Sequence, residues 1–258
     1  MWPKLQRWRG VILVSLAVTA TLWLAIVGEL VLYIHPRYIV FTIIMAVLAV
    51  GFVVASAFVR AHGSHDSDED ADEDADVPVG RWPKLLTLTA VGLATALAIG
   101  MVALPATTLT SATAQQRDIN STVLDLGTTD IASVNSGSAG AFETFSVVDW
   151  ASLLRQTSDL SFFADKPVVV SGFITADPED PENLFYVARF VVTCCAVDAQ
   201  PVGVPVYSPN WSSSLKIDDW VEVRGEFATN PSQSSSQPLA VDPSDITPIE
   251  QPREPYLF

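Results

Sequence analysis

Apolar positions along the chain fall into two regimes. Up to residue 105 they come in long unbroken runs, and beyond residue 165 in short runs broken by Pro, Gly and Asn. A bilayer's hydrocarbon core, about 30 Å thick, takes roughly 20 apolar residues to cross as a helix. Three runs have that length: about 11–32, interrupted by Glu29; 39–59, free of charge; and 85–104, stopped by Pro105. A helix satisfies its own backbone in lipid, so these runs predict three membrane-spanning helices. Residues 35–38 leave room for only a tight turn, so the first two spans should form an antiparallel hairpin.

The second regime predicts a short amphipathic helix over 147–155, with Val148, Leu153 and Leu154 on one side. Strand signals follow at 168–174, 184–193, 202–207 and 220–227, with a weaker one at 239–249 that contains Pro243 and Pro248. Gly172, Gly203 and Gly225 stand where barrel strands could bend or bulge. Five short strands with a long gap between the third and fourth suggest an OB-like barrel, with a small sandwich as the competing arrangement. The expected fold class is therefore α+β: three N-terminal transmembrane helices and an extracytoplasmic all-β, OB-like five-stranded barrel. The boundaries that follow are a membrane domain over 1–105, a flexible Thr/Ser/Ala/Gly-rich neck over 106–141 and a barrel domain over 142–258.

Charge sets the orientation. Lys4, Arg7 and Arg9 precede the first span, Arg37 alone lies between the first two, and Arg60, Arg81 and Lys84 precede the third. Basic residues stay on the cytoplasmic side, which puts the N-terminus and the 60–84 loop there and the barrel domain outside. That loop carries eight acids within 66–76, a run that repels itself and should be disordered. His62 and His65 beside it could loosely collect divalent cations, although a solvated loop is the plainer reading. Trp-Pro-Lys-Leu occurs at 2–5 and again at 82–85, each time before a span, as interfacial anchors do. Ala112-Thr113-Ala114 resembles a signal-peptidase site, but the preceding run is long for a signal and reads better as an anchor. Beyond residue 105 the chain has 20 acids against 7 bases, the wrong balance for a nucleic-acid partner.

Candidate chemistry gathers around Cys194 and Cys195, adjacent and the only cysteines in the chain. On a strand end the two thiols would point to opposite faces, one of them buried as a small hydrophobe. A vicinal disulfide acting as a redox switch is a second reading, and a soft metal or metalloid site with Asp198 as a further ligand is a third. Arg189 lies mid-strand in a segment of imperfect alternation; it pairs with an acid at a barrel edge or clamps an anionic group. Glu29 is the sole acid in the spans, and with His35 and Arg37 it marks a partner-facing or interfacial spot at the outer turn. No phosphate-binding Gly loop, H-E-x-x-H or G-x-S-x-G occurs, and adjacent cysteines make a poor attacking-and-resolving couple, so no enzyme is expected. No cofactor is required; a soft metal ion is the one candidate.

The stretch from Tyr186 to Ala199, with Thr193-Cys194-Cys195-Ala196-Val197-Asp198-Ala199 at its end, resembles the signature of YcgQ-type small subunits of two-component permeases. Asp219 to Gly225 and the Tyr33-Ile34-His35-Pro36-Arg37 turn are similar to that family too. The resemblance implies a C-terminal bacterial domain of unknown function and a larger polytopic partner of the efflux-permease kind. It implies an accessory subunit of a multi-pass cell-membrane complex, whose outer domain docks on or gates that partner. The alternative is an extracytoplasmic metal-binding or redox-sensing module that uses Cys194 and Cys195. Arg189, Cys194, Cys195 and Asp198 are motif positions in that resemblance, with no task attached to them by it.

Overall fold

A computed structural model of the chain describes residues 2–62, 100, 108–121, 131, 134, 142 and 144–258. The chain divides into two compact units, Met1–Thr107 and Thr108–Phe258.

The first unit contains helix α1 (Trp2–Val27), one 3-10 turn (Glu29–Leu32) and helix α2 (Pro36–His62). α1 begins ahead of the expected first span, 11–32, and stops short of its end. The helix begins at Trp2, because Lys4, Arg7 and Arg9 favour helix whatever their polarity. It stops at Val27 because Gly28 adopts a left-handed conformation with φ of 80°, which ends a helix and which only glycine takes easily. Pro36 then opens α2, where its fixed φ suits the first turn. Among the described residues, one segment is long and apolar enough to cross a membrane, the 20 residues Pro36–Ala55; Val14–Val27 is shorter. The expected third span (Gly100 apart), the acidic run 66–76 and the second Trp-Pro-Lys-Leu lie outside the described residues.

α2 packs against α1 on one side, where Ala46 is buried. Val40, Phe41, Ile44, Val47, Leu48 and Phe52 are each more than half exposed. At about 100° per residue these positions span an arc of roughly 140° of the helix circumference.

The second unit is mixed α and β. Its short helices are α3 (Ser111–Ala114), α4 (Val147–Gln156) and α5 (Leu160–Phe163). Its strands are β1 (Val168–Ala176), β2 (Leu184–Val191), β3 (Gln200–Tyr207), β4 (Trp220–Thr229), β5 (Leu239–Pro248) and β6 (Tyr256–Leu257). They form one sheet in the order β1-β4-β5-β3-β2-β6, with β1 also paired to β2, so the first five strands close a ring. The β3–β5 and β2–β6 contacts are parallel and the others antiparallel.

Closure depends on β1 serving two neighbours. Its Val168–Phe173 half pairs with β4, and its Phe173–Ala176 half pairs with β2. At the changeover, a Cβ on Gly172 would lie 2.4 Å from the carbonyl oxygen of Ala188, so only glycine fits. Because β1 reaches β2 only as far as Ala188, the edge of β2 at Phe190 and Val191 would be open. The sixth strand, which the sequence reading did not include, fills that place: Tyr256 and Leu257 pair with Phe190 and Val191, and the Val192 N–H donates to the Leu257 carbonyl at 2.9 Å. Filling an open edge removes a site for unwanted strand pairing. On the far side, Arg224 pairs with Asp245 and Gly225 with Pro243, which leaves Ser244 as a bulge residue. A bulge tolerates proline's missing N–H, which explains why the proline-interrupted fifth segment is still a strand.

α4 carries a capping box: the Ser146 N–H donates to Asp149 Oδ2 at 2.8 Å, and the Asp149 N–H returns a bond to Ser146 Oγ at 3.4 Å. Its apolar side, with Val147, Trp150, Ala151 and Leu153, joins the barrel's core residues Ile174, Val187, Val204 and Val223. Trp150 is fully buried, its ring 5.4 Å from Phe227 and 5.2 Å from Phe145 between centroids.

The expected flexible neck is corrected over residues 108–121, which are strapped to the barrel. The Leu109 N–H donates to Tyr256 Oη at 2.8 Å, and the Ser111 N–H to Asp218 Oδ1 at 2.6 Å. Asn120 clasps Gly203 twice, its Nδ2 donating to the carbonyl at 2.8 Å and its Oδ1 accepting from the N–H at 2.9 Å. Thr, Ser and Asn suit a tether, but the same side chains and their backbone also bond readily to a neighbouring strand.

Candidate functional site

The loop between β2 and β3 holds the two cysteines. β2 ends at Val191, Thr193 and Cys194 form a bend, and Ala196–Asp198 makes a single 3-10 turn before β3. Asp198 folds back over the bend. Its Oδ1 accepts from the Thr193 N–H at 3.1 Å, and its Oδ2 accepts from the N–H groups of Cys194 at 2.8 Å and Cys195 at 3.3 Å. Three successive amides gathered on one carboxylate cannot belong to a straight strand, in which side chains alternate. The two sulfurs consequently lie 3.6 Å apart on the same side. Opposite-facing thiols, one of them buried, are thus corrected: Cys194 is exposed, Cys195 half-buried, and both are free thiols.

Cys194, Cys195 and Asp198 each present a ligand atom, and these atoms all lie within 4.8 Å of one another. Electrostatics separate their roles. The hydrogen bond from the Cys194 thiol to Asp198, and then its contact with Cys195, push the Cys194 thiol up to about 12. Partial burial alone would raise the Asp198 carboxyl, but the bonds from the Cys194 thiol and the three backbone N–H groups outweigh it and hold Asp198 below the ordinary carboxylate range. At neutral pH the resting loop is therefore one carboxylate with a protonated, poorly nucleophilic Cys194 beside it.

Arg189 is brought near this loop but not into it. Among the described residues it pairs with backbone and not with a carboxylate: its Nε donates to the Pro255 carbonyl at 3.2 Å and its Nη2 to the Glu254 carbonyl at 2.8 Å. Its guanidinium lies over the Trp220 ring, 5.5 Å from the centroid, and burial lowers its pKa. Its task is to hold the segment that delivers β6. Hydrogen bonds to a charged group contribute about 1.5–3 kcal/mol, so Arg189→Ala is expected to speed hydrogen exchange at the Val192 amide roughly tenfold to a hundredfold. Exchange mass spectrometry checks this, and an unchanged rate would remove Arg189 from that role.

In the first unit, the Arg37 N–H donates to His35 Nδ1 at 3.1 Å, and its Nη2 lies 3.2 Å from His35 Nε2. The Arg37 guanidinium also sits 5.6 Å from the centroid of the Tyr38 ring. His35 and Arg37 therefore shape the turn into α2, while half-buried Glu29 opens the 3-10 turn before it.

The sequence reading missed two partners of the cysteine loop. Arg117 Nη2 donates to the Val197 carbonyl at 3.1 Å, tying the strap to the 3-10 turn, and β6 fixes Val192 just before the bend. It also missed a concavity of about 630 Å³ lined by Arg117, Asp177, Glu179 and Tyr186. Burial, reinforced by Asp177, holds the Tyr186 hydroxyl protonated far above its usual range. Asp177 accepts from the Glu179 and Asp180 N–H groups at 2.9 and 2.8 Å, so it organises the β1–β2 turn.

Comparison with known families meets this geometry at both ends of the chain. The DUF1980 N-terminal domain matches residues 8–120, and the DUF1980 C-terminal domain matches residues 147–258. The chain belongs to the DUF1980 family. No curated protein matches it significantly. The DUF1980 C-terminal match spans α4, all six strands and the cysteine loop. The DUF1980 N-terminal match runs on to Asn120, so its last residues are those that clasp the barrel at Gly203.

Proposed function

We propose that this chain is the small subunit of a two-component membrane permease, with an OB-like outer barrel that docks on or gates a larger polytopic partner. The observation that carries the reading is α2, whose apolar Val40, Phe41, Ile44, Val47, Leu48 and Phe52 are exposed among the described residues and suit lipid. Membership of DUF1980 in both domains supports it, as does the 1-2-3-5-4 strand ring, which matches an OB-like order. In this reading the chain is multi-pass, its N-terminus is cytoplasmic and its barrel is extracytoplasmic. Among the described residues of the expected spans Glu29 is the one acid, too few polar groups for a pathway of their own.

Two measurements test this. The chain's cysteines sit on the barrel, so a membrane-impermeant maleimide should label intact spheroplasts; labelling only after permeabilisation would reverse the topology. In proteoliposomes the chain alone should move no solute, and transport should require co-reconstitution with a polytopic permease partner. Transport by the chain alone would overturn the subunit role.

A further inference from the structure

We propose that Cys194 Sγ, Cys195 Sγ and a carboxylate oxygen of Asp198 are three corners of a binding site for a thiophilic divalent d10 ion such as Zn²⁺ or Cd²⁺, with the fourth corner open. This goes beyond the subunit role and stands without it, since the chain would bind the ion whether or not a permease is docked.

Geometry carries the case. Two thiolates on one tetrahedral ion at about 2.3 Å are held ~3.8 Å apart. The sulfurs already stand 3.6 Å apart, in a pair of adjacent residues that regular strand geometry would point in opposite directions. What turns them together is the bend pinned by Asp198, so the donors are held in place before any ion arrives. Asp198 keeps capacity for an ion: a carboxylate has about four acceptor positions, backbone N–H groups take three, and the one that takes the Cys194 thiol is freed when that thiol gives up its proton to bind the ion. The same N–H groups orient the carboxylate as outer-shell partners orient metal ligands elsewhere. Cys194 is exposed, which gives an ion a direct way in.

The donor set chooses the ion class. Two thiolates with one carboxylate favour soft or borderline ions over Mg²⁺ or Ca²⁺, which take oxygen ligands. The histidines are at positions 35, 62 and 65, so the barrel unit contributes neither a histidine nor a third cysteine to a fourth corner. Structural zinc sites are closed by four protein ligands, whereas three with a vacancy make an exchangeable site. On binding, the ion displaces one proton from each thiol to solvent, and the carboxylate enters already ionised. Dication, two thiolates and one carboxylate leave a complex of net charge −1. Water fills the fourth position until a donor on another molecule replaces it, so an ion can be passed on by ligand exchange.

The test uses the full chain, reduced and in detergent, titrated with Cd²⁺ and followed by thiolate-to-cadmium charge-transfer absorption. Any Cd²⁺ held at the acidic run 66–76, beside His62 and His65, would have oxygen or nitrogen ligands and give no such band. Saturation at one Cd²⁺ per chain is expected, with Zn²⁺ competing. Cys194→Ser and Cys195→Ser, checked for folding by circular dichroism, should each weaken binding at least about tenfold, and Asp198→Asn about 10- to 100-fold. A folded wild-type chain with no band, or saturation at one ion per two chains, would overturn the proposal. So would serine variants that bind like wild type.

Discussion

Replacing Asp198 with Asn is expected to speed alkylation of Cys194 at pH 8 by at least about tenfold. The thiolate is the nucleophile, and in the folded loop the Asp198 carboxylate is the largest cause holding the Cys194 proton on, up to about 12. An ordinary cysteine titrates near 8.5, and each unit of difference is a factor of about ten in thiolate at a fixed pH below both values. A thiolate of lower pKa is also less nucleophilic, which cancels roughly half of the gain on a logarithmic scale. Asn keeps an oxygen for the Thr193 and Cys194 amides but removes the charge, so the change is electrostatic before it is structural. Timed iodoacetamide labelling, with peptide fragmentation to separate Cys194 from Cys195, reads the rate. An unaltered rate would mean that the carboxylate does not control the thiol.

The same pair fixes the loop's pH window. Cys194 is raised on folding, so its contribution is complete below the ordinary thiol value and is lost as pH climbs from there toward about 12. Asp198 is lowered, so its contribution is present above the ordinary carboxylate value and is lost as pH falls through its depressed one. The loop is most stable between those limits.

Trp150→Ala is expected to be the most damaging single change to the barrel, costing about 3–5 kcal/mol. Trp150 is fully buried, and its indole packs on Phe145 and Phe227 where α4 meets the ring of strands. Alanine would leave a hole that the closed ring cannot collapse to fill. For a unit of this size the loss corresponds to a melting temperature lower by on the order of 10 °C. Trp150→Phe should cost much less, because the buried indole N–H has no partner among the described residues and its removal offsets part of the lost packing. Near-UV circular dichroism melts of the full chain in detergent distinguish the variants. Melting of Trp150→Ala alongside wild type would show that α4 adds nothing to the core.

The strands were legible because their apolar runs begin at punctuation: Pro167 before β1, Asn183 before β2. β6 was not, since two residues, Tyr256 and Leu257, carry no alternation, and only the gap left on β2 gives them a place. α1 began earlier than its apolar run because helix formation does not require apolarity, whereas a membrane span does. At the site, Cys194, Cys195 and Asp198 were recognisable by residue type, but their convergence was not. Strand periodicity pointed the thiols apart, and the bend that reverses this depends on a carboxylate placed five residues beyond Thr193. The partners that Arg189 shows are backbone carbonyls 65 and 66 positions away, which leave no trace in charge pattern.

The order in which the chain is made gives β6 a further meaning. β1, β2 and β3 can pair as soon as they emerge, but the stretch of β2 at Phe190 and Val191 must wait for Tyr256 and Leu257. Throughout that delay a growing chain presents an unpaired edge immediately beside two reduced thiols. A ribosome stalled after Arg253, or a protease that trims the last residues, would freeze that moment. The product would be primed to zip edge to edge with a second copy and then be locked there by a disulfide between chains.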